Sequence, residues 1–277
     1  MRDAIRYLAI TAMIAVICVS GYKLWKMSER YVQENQLKDN IMKYRPEEPE
    51  NLERVSKTEE YCSEKTETTE PEEIKINNQF ITDMQSEVNK DIIGWLTVPN
   101  TQIDYPFVTA EDNEYYLRKD LYGDYAVAGT IFMDYRCNTD FFRDNFSSFN
   151  TIIYGHNMKN GSMFGELPQL FGDEGFFDSN RTGTIYTKDN TYKLEFFACV
   201  VINAEDEVIY GNIDIDSQAD RDAFFKYVRD NARNYREPKT DENIVTLSTC
   251  SYQFDGARTV LLANILSVSD ISDKKPE

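Results

Sequence analysis

From Gly94 to Leu266 the chain is a succession of short β-type runs separated by turn residues. This pattern limits the fold more than any other feature. The runs are Gly94–Val98, Ile103–Val108, Gly129–Met133, Asn150–Tyr154, Gly183–Tyr186, Tyr192–Ile202, Asn243–Leu247 and Arg258–Leu266. Many short strands with turns between them predict a mostly β domain, a closed barrel or a sandwich. Composition agrees, since 18 Tyr and 16 Phe favour a β-rich core.

Two helices interrupt the strands. Phe80, Ile81, Met84 and Val88 form one helical stripe that ends before Gly94. A longer helix is predicted at about 217–235, with Ser217 as N-cap and Asp220 at the reciprocal capping position. Phe224, Tyr227 and Val228 make its apolar stripe. Asp220 and Asp222 near its start and Arg229, Arg233 and Arg236 near its end suit the helix dipole. Just before it, Asn212, Asp214 and Asp216 hint at a calcium loop. Ser217 and Ala223 stand where such a loop needs Gly and Glu, so a turn and a cap are expected and no metal site.

The N-terminal third is different. Residues 1–45 carry eight basic and four acidic side chains, and residues 46–73 carry three basic and eleven acidic. Within the first segment, Tyr7–Tyr22 is an uncharged, mostly apolar run of sixteen residues. A helix of that length covers roughly 24 Å, short of a ~30 Å hydrocarbon core. Arg6 and Lys23 flank it and can snorkel. The reading is a membrane-anchor helix within residues 1–27. A cleaved signal peptide is the competing reading, although no A-x-A-like site follows. Residues 28–73 read as a polar helix and an acidic spacer that does not fold, with Cys62 a bystander. Residues 74–277 read as the folded domain. A single anchor followed by so much chain suggests that the bulk lies outside the cell.

Charge and rare residues exclude several functions. A net charge of −18 argues against a nucleic-acid partner, which needs Lys and Arg against phosphate. One histidine, His156, excludes any site built on two. The five cysteines form no C-x-x-C pair, and their odd number leaves at least one thiol free in a monomer. Cys199 lies in an apolar strand and reads as core packing.

His156 follows an apolar strand and a glycine in Tyr154-Gly-His-Asn-Met. Cys250 ends a second strand in Thr246-Leu-Ser-Thr-Cys, and Arg258 opens a third. Ser251–Ala257 connects the last two, with Asp255-Gly256 as its turn, so antiparallel pairing brings Cys250 and Arg258 together. A thiol, an imidazole and a permanent cation are the parts for thiol acyl transfer. The thiolate attacks a carbonyl, the imidazole protonates the leaving amine, and the guanidinium stabilises the oxyanion or holds the peptide. Unperturbed pKa values near 8.5 and 6.5 leave the thiolate–imidazolium pair a minor form unless neighbours shift them.

Thr246-Leu-Ser-Thr-Cys250 with Arg258, and Tyr154-Gly-His156-Asn-Met with Gly161-Ser-Met-Phe-Gly165, resemble the sortases. The histidine segment and the helix before the Cys strand are most similar to class B. The resemblance covers roughly residues 74–268, and an anchor with a spacer also matches the family's layout. It implies a closed eight-stranded β-barrel with N-terminal helices. It also implies an extracellular, membrane-anchored cysteine transpeptidase of Gram-positive bacteria. Such enzymes cleave a C-terminal sorting signal of a secreted protein after threonine. They hold the threonine as a thioester and pass it to an amine of peptidoglycan or its lipid II precursor. By motif position Cys250 is the nucleophile, His156 the general acid/base and Arg258 the oxyanion or substrate stabiliser. Ser248 and Thr249 line the substrate groove. No cofactor is implied. The signal is NPQTN-like or PxTG-like. A thiol hydrolase with the same residues, and a non-catalytic surface module, are the alternatives.

Overall fold

The computed structural model describes residues 2–46, 78–137, 148–251 and 253–267. It divides into two units, residues 1–45 and 46–277. The expected acidic spacer, with Cys62, lies outside the described residues.

The first unit is one helix, α1 (Arg2–Met42). It continues without a break through the polar residues expected to form a separate helix. Among the described residues no helix is long and apolar enough to cross a membrane. Ile10, Met13, Ile14, Val16, Ile17 and Val19 of α1 are all exposed.

The second unit opens with α2 (Gln79–Glu87), whose Ile81 and Met84 are buried. Among the described residues nine strands follow: β1 (Ile92–Thr97), β2 (Asp104–Val108), β3 (Ile131–Met133), β4 (Asn150–Tyr154), β5 (Thr182–Thr187), β6 (Thr191–Asn203), β7 (Ala232–Tyr235), β8 (Ile244–Cys250) and β9 (Ala257–Ser267). Their order is β5-β1-β2-β3-β4-β8-β9-β6, and β5 pairs again with β6 to close an eight-stranded barrel. Closure removes the unpaired edges that an open sheet would leave.

The thirteen-residue β6 makes this possible. One edge pairs with β9 along Tyr192–Asn203. The other edge takes β5 on Thr191–Glu195 and β7 on Ala198–Val200. A bulge between Phe196 and Ala198 separates these two stretches. The ninth strand, β7, thus covers the edge that β5 leaves free.

Residue alternation gives two cores. Val245 and Leu247 of β8 and Leu261, Ala263 and Ile265 of β9 belong to the larger cluster, with Phe107, Met133, Ile153, Leu194 and Phe196. Ile244, Val260 and Leu262 face the other way and pack with Phe224, Phe225 and Val228. Those three come from α6 (Gln218–Asn231).

Helix α6 corrects the prediction of a helix to about 235. The backbone turns extended at Ala232, and Ala232–Tyr235 is strand β7. Arg233 and Arg236 are therefore not helix residues. The Arg236 backbone N–H donates to the Phe197 carbonyl at 2.7 Å, and its guanidinium lies over the Phe177 ring. Tertiary pairing with β6 outweighs local helix preference here. The cap also differs in detail. Ser217 Oγ accepts from the Asp220 backbone N–H at 3.1 Å and donates to the Asp220 carboxylate at 2.6 Å. Phe225 joins Phe224 and Val228 in the buried stripe, while Tyr227 is only partly buried.

Three short helices were not anticipated: α3 (Leu167–Leu170), α4 (Glu174–Ser179) and α5 (Glu207–Gly211). Asp173 caps α4 and Asp206 caps α5, each accepting from a backbone N–H three residues on.

Candidate active site

Two strand pairings build the site. β4 and β8 are parallel, with Tyr154 opposite Ser248 as the last register pair. His156 and Cys250 each stand two residues beyond that pair, at the same end of neighbouring strands. β8 and β9 are antiparallel, with Cys250 opposite Arg258. At the next position Ser251 N–H donates to the Ala257 carbonyl at 2.9 Å. Because hydrogen-bonded and non-hydrogen-bonded pairs alternate, Cys250 and Arg258 form a non-hydrogen-bonded pair. Side chains stand closer in such pairs, with Cα atoms about 4.5 Å apart. The turn that returns the chain uses Gly256 at φ 76°, a left-handed conformation suited to glycine.

The histidine segment folds back on itself. The His156 carbonyl accepts from Phe164 N–H at 3.0 Å, and Asn157 bridges to Met163. Gly155 is required by contact, since a Cβ there would lie 2.5 Å from the Phe164 ring. This explains the second motif, Gly161–Gly165: it carries the ring that packs beneath Gly155. The Glu166 carboxylate then ties the segment to the β1–β2 turn, accepting from Gln102 N at 2.7 Å and Gln102 Nε2 at 3.0 Å.

The thiols separate by environment. Burial pushes Cys137 and Cys199 up to about 12, so both are protonated at neutral pH. Cys199 is fully buried in the core, as expected. Cys250 is exposed at the end of β8. His156 is half-buried, and burial followed by the positive charge of Arg118 lowers its pKa. Arg118 lies in a 3-10 turn, Tyr115–Arg118, within the long β2–β3 connection. Its Nη1 donates to the Val127 carbonyl at 2.9 Å. No motif pointed to it, because its approach to His156 depends on how that connection folds.

Ser248 and Cys250 share a strand face, and Thr249 points the opposite way. Of the two expected groove residues, only Ser248 therefore lies on the thiol's face. Its hydroxyl shares a 2.7 Å hydrogen bond with Tyr210 of α5. Burial first, with Asp206 and Cys250 nearby, pushes Tyr210 up to about 12. The Tyr210 ring stacks on Tyr154, whose hydroxyl donates to the buried Asp134 at 2.9 Å. Burial alone would raise the Asp134 pKa, but bidentate bonds from Arg136 and the Tyr154 hydroxyl outweigh it and hold the carboxyl low. This polar chain under the site was not anticipated either. Its members are distant in sequence and carry no common spacing.

No group of His, Cys, Asp and Glu suited to a metal occurs among the described residues. Asn212, in the region that hinted at calcium, instead donates Nδ2 to the Val208 carbonyl at 2.9 Å. A hollow of about 990 Å³, lined by Lys90, Asp91, Tyr135, Arg136 and Ser148, includes none of His156, Cys250 and Arg258.

Residues 96–266 match the model of the sortase domain family. The chain belongs to the sortase family. Sortases of the B type are among its relatives. It is 37% identical over 171 residues to sortase B of Listeria monocytogenes, a match covering 61% of this chain and 66% of that one. It is 26% identical over 274 residues to sortase B of Staphylococcus aureus, covering 95% and 98%. The crystal structure of sortase B from B. anthracis in complex with AAEK1 superposes with a TM-score of 0.59. Identity there is 34%, over 68% of this chain and 84% of that one. The closed barrel predicted from the motifs is thus the family's fold.

Proposed function

We propose that the chain is a class B sortase that works by thiol acyl transfer at Cys250. The observation that carries the reading is the convergence of three strand ends. Cys250 on β8 pairs with Arg258 on β9, and His156 follows β4, the parallel neighbour of β8.

The reacting form pairs a Cys250 thiolate with a His156 imidazolium. The thiolate attacks the carbonyl carbon of the threonine in a sorting signal. The oxygen becomes an oxyanion, stabilised by the Arg258 guanidinium. His156 gives its proton to the leaving amine, the C–N bond breaks, and a thioester remains on Cys250. An amine of peptidoglycan or lipid II then attacks the thioester, losing a proton to His156 as the C–S bond breaks. Ser248, on the thiol's face, is buried against Tyr210 and forms part of the wall beneath the peptide groove.

The wider architecture follows the same reading. Residues 1–27 are a cytoplasmic stub and signal anchor, 28–73 a spacer and 74–277 an extracellular catalytic domain. Support for the anchor comes from the exposed apolar residues of α1. Arg6 and Lys23 make up for a short apolar run by snorkelling. Fractionation of the full chain tests it: recovery in the soluble fraction without carbonate or detergent defeats the anchor.

The chemistry is tested with a library of sorting peptides, NPQTN-like and PxTG-like, with and without an added amine. Mass spectrometry should detect an acyl adduct on Cys250 and an amine-bearing product. A product whose mass ignores the amine would make the enzyme a hydrolase. No adduct with any peptide would defeat the reading altogether.

A further inference from the structure

β4 keeps one more rung on β8 after its last register pair. Gly155 N–H donates to the Ser248 carbonyl at 3.1 Å. A parallel ladder continued by one step would have Asn157 N–H donate to the Cys250 carbonyl, two residues further on each strand. The backbone does not continue. It turns at His156 into the Asn157–Met163 bridge. In place of the missing rung, the Asn157 side-chain amide Nδ2 donates to the Cys250 carbonyl at 2.6 Å.

The direction of that carbonyl follows from the β8–β9 pairing. Since Cys250 and Arg258 form a non-hydrogen-bonded pair, the Cys250 peptide groups point away from β9 and toward β4. The β4 side must therefore supply any backbone partner, and after Gly155 the β4 backbone has left. Asparagine suits the task. Its amide is a neutral donor on a short side chain, so the histidine segment can turn away while the strand end stays held.

We propose that Asn157 is a positioning residue for the thiol chemistry, whose amide replaces the last rung of the β4–β8 ladder and so holds the Cys250 strand end at a fixed spacing from the His156 segment. This rests on the reading of Cys250 and His156 as the reacting pair. Spacing matters because thiolate and imidazole must both reach one scissile bond. A misplacement near 1 Å costs up to about 100-fold in rate. Glutamine does not substitute, because one more methylene moves the donor by about 1.5 Å. Aspartate is the informative variant. Ionised, it sets a carboxylate against a carbonyl oxygen, two acceptors with no proton between them. Protonated, it regains a donor at the same length.

The experiment compares wild type, Asn157→Ala and Asn157→Asp in acyl-enzyme formation with a sorting peptide, from pH 5 to 8, with Tm recorded for each. Expected for Asn157→Ala is a roughly 10- to 100-fold slower kcat for thioester formation, with KM nearly unchanged. Expected for Asn157→Asp is a rate below that of Asn157→Ala at pH 8, with the ratio of the two rising as pH falls toward 5. A purely structural role would lower Tm without making that ratio depend on pH. A wild-type rate in Asn157→Ala, or a flat ratio across the pH range, overturns the proposal. Absence of any adduct on wild-type Cys250 would overturn the thiol-transfer reading beneath it.

Discussion

Cys250 and Arg258 face each other across β8 and β9 as a non-hydrogen-bonded antiparallel pair. The ladder itself, rather than a loop, therefore sets the backbone spacing of the two residues. Arg258→Ala should slow thioester formation by roughly 100- to 1,000-fold, the usual scale for losing an oxyanion donor. Arg258→Lys keeps the charge but loses the planar fork and should recover only part of the rate. Single-turnover kinetics with a sorting peptide decide this. Equal rates for wild type and Arg258→Ala would remove Arg258 from the mechanism.

His156 offers a clean titration, because the chain contains no other imidazole. Burial and the Arg118 charge both oppose its protonation. Arg118→Gln should raise its pKa, without restoring the ordinary value, since burial remains. The alkaline limb of the pH–rate profile should move up with it, because the imidazolium is the acid. The His156 ring-proton resonance in NMR reports the shift directly, and a pKa that stays or falls refutes the assignment of Arg118.

The same lowered pKa makes stability depend on pH. The unfolded chain binds a proton at His156 before the folded one does. The folded state is thus unpenalised above the ordinary value near 6.5. It loses stability as pH falls from there toward the lower folded value. His156→Gln should show a shallower loss between pH 7 and 5 in urea denaturation. Identical slopes would mean that His156 is not coupled to folding.

The Tyr210–Ser248 hydrogen bond joins a buried Ser248 to a partly buried Tyr210 beside the thiol. Tyr210→Phe leaves the Ser248 hydroxyl without that partner and should cost about 1–3 kcal/mol. Adding Ser248→Ala to Tyr210→Phe should recover part of the loss, since both partners are then apolar. Chemical denaturation in a double-mutant cycle measures the coupling. A coupling near zero would mean that water replaces the missing hydroxyl.

Phe224 anchors α6 on the outer face of the barrel, packed edge-on against Phe149 with ring centroids 5.2 Å apart. Phe224→Ala should destabilise the fold by about 3–5 kcal/mol. The α6 cap is exposed, so Ser217→Ala should cost only about 1 kcal/mol. Thermal unfolding checks both, and a larger effect at Ser217 than at Phe224 would reverse the expected order.

Much of this was legible in the residues themselves. The eight predicted β runs correspond to eight barrel strands, because alternation and turn residues act locally. The Cys250–Arg258 pairing was legible for the same reason: a short connection with a glycine turn joins adjacent strands. β7 was not legible. Ala232–Tyr235 follows a helix without a break, and only the free edge of β6 makes it a strand. The parallel β4–β8 pairing was also hidden, since some ninety residues separate Tyr154 from Ser248 and no local pattern records it.

The sequence by itself determined the eight barrel strands, the presence of the two longer helices of the folded domain, and Cys250, His156 and Arg258 as the candidate thiol, imidazole and guanidinium. Those follow from side-chain chemistry and short-range periodicity, which need no knowledge of distant contacts. Only the tertiary structure decided that β5 closes on β6, that His156 ends beside Cys250 and that Arg118 acts on His156. It alone showed that Asn157 completes the β4–β8 ladder with its side chain. These are contacts between segments far apart in the chain. Their geometry comes from barrel closure and packing, where hydrogen-bond register and burial are satisfied together rather than residue by residue.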